Sequence, residues 1–321
     1  MNNSVEFPIE RDSPPPNLTG KISFDAFDAV VNKTVELLNF LSDSAGRTPI
    51  INIAEEKTEI LTGDFLLATS RTLESISACS KLGNFSDANM LLRKYRDDMF
   101  LFLYILETDN NKTALTEDEM RELIGEEITF ENLYKVVLST IDILSSGIKK
   151  NLEDQAVDAW FDNTAENGEY YKLIDIKNYL RYLKTNALVS DCIEKHKLKE
   201  PWENLGRRQN NYTHNNGRSF LTDNTVGRSN LNRALILLEH ISKDIAFLTS
   251  YFLMILILIK PIYIASFDYV EFMDCGIEPP EDCHYWVAPV VQEYIDTYVS
   301  NLHSDLKQYL KENNPYGMKI I

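Results

Sequence analysis

The sequence predicts an all-α fold, a multi-helix bundle, and three observations carry that expectation. Apolar residues recur at helical rather than alternating spacing along most of the chain. Glycine is scarce, 12 in 321 residues, so few positions interrupt a helix. Core material is plentiful: 44% of residues are hydrophobic, with 16 Tyr and 15 Phe among them.

The elements follow in chain order. Residues 1–20 read as a disordered tail, because Pro14 to Pro16 cannot join a regular helix and no basic-then-apolar leader pattern is present. The run 24–43 sets Phe24, Phe27, Val31, Val35, Leu38 and Leu41 on roughly one helical face. Residues 47–57 can hold one short strand. The run 64–83 predicts a helix stopped by Gly83, and 86–107 a helix capped by Ser86 whose second half is apolar almost all round. TEDE at 116–119 has capping-box spacing for a short helix, and 129–151 predicts another. Interrupted helical patterns fill 152–200. Pro201 opens a helix over 201–216, a glycine-containing loop covers 217–227, one long helix spans 229–259, and a last helix spans about 286–312. The working division is a tail, an N-terminal helical region at 21–165 and a C-terminal helical region at 166–321.

Charge and cysteine usage bound the function. A net charge of −17 repels nucleic acid at long range and argues against a general DNA-coating protein, while leaving room for a local basic patch. The four cysteines form no CxxC pair, so neither a zinc site nor a disulfide framework is indicated, and reduced thiols fit a cytoplasmic protein. The uncharged run 246–259 is shorter than the roughly 20 residues that a membrane span needs. It is either a helix buried in a large core or dimer interface, which is favoured, or part of a span extending to 267 across Lys260 and Pro261.

The informative stretch is RRQNNYTHNNGRS at 207–219. Arg207 and His214 are seven residues apart, which sets them on one helix face, and Arg208 is one position off that line. An arginine fork suits phosphate oxygens, and histidine moves protons near neutral pH. Together they suit cleavage of an RNA phosphodiester. His214 handles protons on the attacking 2′-hydroxyl or the leaving 5′-oxygen, and Arg208, with Arg207, stabilises the phosphorane charge. Asn210 and Asn211 would position the phosphate, with Arg218 nearby. Arg207, Arg208, Arg218, Arg228 and Arg233 form a basic island in which Asp223 is the one acidic residue. The bland alternative is a helix C-terminus decorated with cations that its dipole favours.

RRQNNYTH resembles the R-x(4–6)-H signature of the HEPN superfamily. The resemblance implies a HEPN-like helical C-terminal half and a metal-independent endoribonuclease of the toxin or antiphage-defence type. It also implies a homodimer that brings two motifs together, an antitoxin or defence partner protein, and no cofactor. The motif carries over to Arg208 or Arg207, to Gln209 or Asn210, and to His214. Gln209 and Asn215 depart from the commoner residues at their positions, which bears on activity more than on fold. The alternative from another class is a catalytically inactive helical scaffold that binds RNA or protein.

Four further features complete the reading. Arg93 and Asp97 in LLRKYRDD are i, i+4 and can pair; Arg93 or Arg96 is either structural or part of the phosphate site. CGIEPPEDCH at 275–284 fits a plain loop better than a metal site. His196 and His303 are expected to be solvated, and His240 to be a core histidine. No phosphate-cradling glycine loop or hydrolase motif occurs.

Overall fold

A computed structural model describes residues 18, 22–45, 50–54, 57–61, 63–111, 151–161, 169–213, 222–224 and 230–321. The expected helices at 116–124 and 129–151, as well as His214, Arg218 and Arg228, lie outside the described residues.

The architecture is the expected all-α one, with a single small hairpin. Helix α1 spans Asp25–Ala45 and buries Phe27, Val31, Leu38 and Leu41, the face its spacing predicts. The antiparallel pair β1 (Ile50–Ala54) and β2 (Lys57–Leu61) follows, two strands where one was expected. Helix α2 (Asp64–Leu82) ends at Gly83, whose left-handed φ of 80° closes the cap. Gly63, before α2, is required for a different reason. A Cβ there would stand 2.2 Å from the carbonyl oxygen of Ser42.

Helix α3 (Phe85–Asn110) starts at Asn84, not Ser86. Ser86 is buried inside the first turn, and its N–H donates to Oδ1 of Asn224 at 2.7 Å. A distant asparagine thus does the work of a local cap. Short helices follow: α4 (Leu152–Phe161), α5 (Ile176–Leu183), α6 (Ala187–Lys195) and α7 (Lys199–Thr213). Then comes α8 (Leu231–Ile259), capped by the Asn230 side chain, which accepts from the N–H of Arg233. After it stand α9 (Asp268–Asp274), α10 (Pro289–Tyr294) and α11 (Leu306–Asn313).

The last predicted helix is therefore broken. A π-turn at Ile295–Val299 follows α10, and the chain runs irregularly to α11. The break falls on SNLHSD, where Ser300 Oγ bonds the Ile295 carbonyl and Asn301 Nδ2 that of Thr297. Short polar side chains that bond nearby backbone compete with helix continuation.

Helix α8 is the centre of the core. Every residue from Leu248 to Ile259 is buried, surrounded by α1, α3, the Pro261–Ile264 turn and the π-turn. By length and composition this helix is apolar enough to cross a membrane, yet 78% of its most apolar window is buried inside the chain. That is the packing of a core helix. At its N-terminal end Leu235 and Ile236 remain exposed. One continuous core runs from Leu18 to Ile320, so both regions of the working division contribute to it. Two pairs of buried hydroxyls meet across elements: Tyr95 of α3 with Thr249 of α8 at 2.6 Å, and Thr34 of α1 with Tyr294 of α10 at 3.3 Å.

Candidate functional site: two clefts astride α7

Helix α7 carries the first half of the Arg/His motif. Pro201 falls in its first turn, where a missing N–H costs nothing. Gln209 decides how the helix is rotated. It is 1% exposed, and its Oε1 accepts from Arg96 Nη1 of α3 at 2.7 Å. Arg96 is 4% exposed and also grips Asp97, from Nε at 2.8 Å and Nη2 at 2.6 Å. Its guanidinium lies 5.8 Å from the ring centre of Trp202, which in turn packs on Phe100 of α3 and Tyr251 of α8. The polar residue between the arginines and Asn210 is thus a packing anchor.

A helix turns about 100° per residue, so facing Gln209 inward sends its neighbours to opposite flanks. Arg207 and Asn210 go to one side, where a cleft of about 650 Å³ is lined by Arg93, Arg96, Lys177, Arg207, Asn210 and Trp202. Asp175 and Glu203 also face it. Asp175 is the N-cap of α5, accepting from the N–H of Lys177 at 2.9 Å, which sets Lys177 at the rim. Arg93 pairs with Asp97 at 3.7 Å, as its spacing predicts. Its Nη1 is buried with no hydrogen-bond partner among the described residues.

Arg208 goes to the other flank. Its Nη2 donates to Asp244 Oδ1 of α8 at 2.5 Å; the arginine side chain is 52% exposed and the carboxylate 12%. Burial pushes the Asp244 carboxyl above its ordinary range, and the Arg208 charge pulls it part of the way back. A second cleft of about 620 Å³ opens here, lined by Lys197, Arg208, His240, Lys243, Asp244 and Phe247 among others. His240 is exposed on this cleft, not a core histidine. Among the described residues the buried histidine is His196, expected to be solvated. It is 3% exposed, with Nδ1 2.9 Å from the Cys192 carbonyl oxygen and its ring against those of His303 and Tyr309. His303 is half-buried.

Of the three described arginines of the basic island, two are engaged in ion pairs. Besides Arg208, Arg233 pairs with Asp223 at 3.5 Å, and Tyr212 donates to the same carboxylate at 2.8 Å. Asp223 is buried and ties the end of α7 to the start of α8. Arg207 bonds only Asn204 among the described residues and stays exposed. Asn211 is exposed and lines neither cleft. The cations that gather beside Arg207 come instead from α3 and α5. Spacing within one helix does not show them; the one local signal is an arginine pair in an otherwise apolar helix. Lys177, Trp202 and Asp244 carried no sequence signal.

No protein-family model matches the chain, and no curated protein or solved structure matches it significantly. The likeness of RRQNNYTH to the R-x(4–6)-H signature rests on those residues alone.

Proposed function

We propose that the protein binds RNA in the Arg207 cleft and cleaves it there without a metal, as an endoribonuclease of the HEPN type. The observation that carries this reading is the convergence of Arg93, Lys177 and Arg207 with Asn210 and Trp202 on one cleft, backed by the buried Arg96 and faced also by Asp175 and Glu203, in a chain with net charge −17. Guanidinium forks recognise phosphate oxygens, an amide orients them, and an indole gives a base a face to stack on. His214 stands seven residues beyond Arg207 and four beyond Asn210, the spacing that shares a helix face. On this reading Arg207, rather than Arg208, is the motif arginine. Arg208 is engaged with Asp244 on the opposite flank. Pairing of two chains would bring two such motifs together, and a cytoplasmic site of action fits the reduced cysteines.

The test is RNA cleavage by purified protein in EDTA, alongside His214→Ala and Arg207→Ala. Wild type is expected to cleave, and either substitution to reduce the rate by about 100-fold or more. Equal cleavage by wild type and His214→Ala sinks the catalytic reading. A second reading, an RNA-binding scaffold without cleavage, is favoured by the ion pairs that engage Arg208 and Arg233. It expects binding that survives His214→Ala and falls with Arg207→Glu.

A further inference from the structure

We propose that the cleft on the Arg208 flank of α7 binds a small organic phosphate, with an anionic head among the cations and an apolar body in the groove beyond them. This goes beyond the RNA reading and does not depend on it.

The head site is built from three elements. Lys197 sits in the turn between α6 and α7 with φ 53°, one of two non-glycine residues of left-handed φ among the described residues. The turn is a helix C-cap: Leu198 N–H reaches the Ile193 carbonyl at 3.0 Å and Lys197 N–H that of Glu194 at 3.1 Å. Glycine is the favoured residue at such a position, because a side chain crowds the backbone there. A lysine in its place puts a cationic side chain on the lining of the cleft at a conformational cost. Arg208 is the second cation, oriented by the buried Asp244. His240 and Lys243 come from α8, His240 one turn before Asp244. The carboxylates facing the cleft are Asp244, engaged with Arg208, and Glu200. Lys243 bonds Glu239 at 2.5 Å in an exposed pair, which costs little to open.

The body site adjoins it. Lys243 and Phe247 also line a second groove of about 460 Å³, walled by Val30, Ala246, Tyr298 and Leu302. Lys243 and Phe247 border both spaces; the ligand would place its charge at Lys197, Arg208 and His240 and its apolar part along Phe247. The head cleft is of the size that holds small molecules. The walls match a phosphate monoester with an aromatic or aliphatic substituent better than a free ion.

Calorimetric titration of the whole chain with phenyl phosphate and with inorganic phosphate tests this. Phenyl phosphate is expected to bind at one site, about tenfold more tightly than inorganic phosphate. Lys197→Gly is expected to weaken it by about tenfold while melting no lower than wild type, since glycine relieves the left-handed strain. Weakened binding in that variant then has no unfolding explanation. Lys243→Ala should weaken binding as well, and Arg207→Glu should leave it unchanged. The proposal is overturned by absence of saturable binding, by equal affinity for the two ligands, or by binding that survives Lys197→Gly and Lys243→Ala but is lost in Arg207→Glu. The last result would put the phosphate in the other cleft. Loss of RNA cleavage with phenyl phosphate binding intact would separate this site's fate from that of the ribonuclease reading.

Discussion

Arg207 faces a cleft that it shares with Arg93, Arg96 and Lys177, whereas Arg208, one residue further on, reaches across the other flank of α7 to Asp244. Identical side chains in adjacent positions are thus given different work by the rotation of one helix. That rotation is fixed one residue later, where Gln209 meets Arg96 in the core. Spacing alone does not say which flank of the helix each arginine faces; the buried Gln209 amide does.

Removing the Arg96 anchor is expected to have the largest effect. Arg96→Ala removes the donor to the Gln209 oxygen and takes both guanidinium contacts from Asp97, so it is expected to cost about 3 kcal/mol in chemical denaturation. A cost below about 1 kcal/mol would show that the anchor does not set the helix. Charge reversal separates the two flanks. Arg207→Glu is expected to weaken RNA binding by about tenfold or more and flatten its salt dependence, with Tm within about 1 °C of wild type. Arg208→Glu places a second carboxylate beside a buried one. It is expected to destabilise by about 1–2 kcal/mol with less than about threefold change in RNA affinity. Equal effects of the two on binding would dissolve the distinction.

The smallest effect concerns Asp244. Its folded-state carboxyl lies above its ordinary range because it is buried, with Arg208 offsetting part of that. A carboxyl raised on folding costs stability wherever it is ionised. Asp244→Asn is therefore expected to raise Tm by about 1–2 °C at neutral pH. The gain should shrink as pH falls through the folded pKa, where wild-type Asp244 takes up its proton. A gain that grows on acidification would reverse the sign of that coupling.

Much of the fold is legible in the sequence where apolar periodicity is long. Helices α1, α2, α3 and α8 begin and end within a few residues of their patterns, and Gly83 stops α2 as expected. The misses share a cause. The cap of α3 comes from Asn224, the partner of Arg208 is Asp244, and the burial of His196 depends on α11; each is a contact between segments far apart in the chain. The candidate site was half legible. Arg93, Arg96, Arg207 and Asn210 do meet, but nothing local announces Lys177 or Trp202, nor that Arg233 is bound to Asp223.

The Gln209–Arg96 bond has a mechanical consequence. Arg96 belongs to α3, which packs on α8 through Tyr95 and Thr249. A ligand that draws Arg207 inward pulls on a helix that cannot rotate freely, and the load passes through Gln209 into α3. A ligand held in the Arg207 cleft would then be expected to slow exchange of amide hydrogens along α3 and α8. A surface event has a stiff rod leading from it to the core.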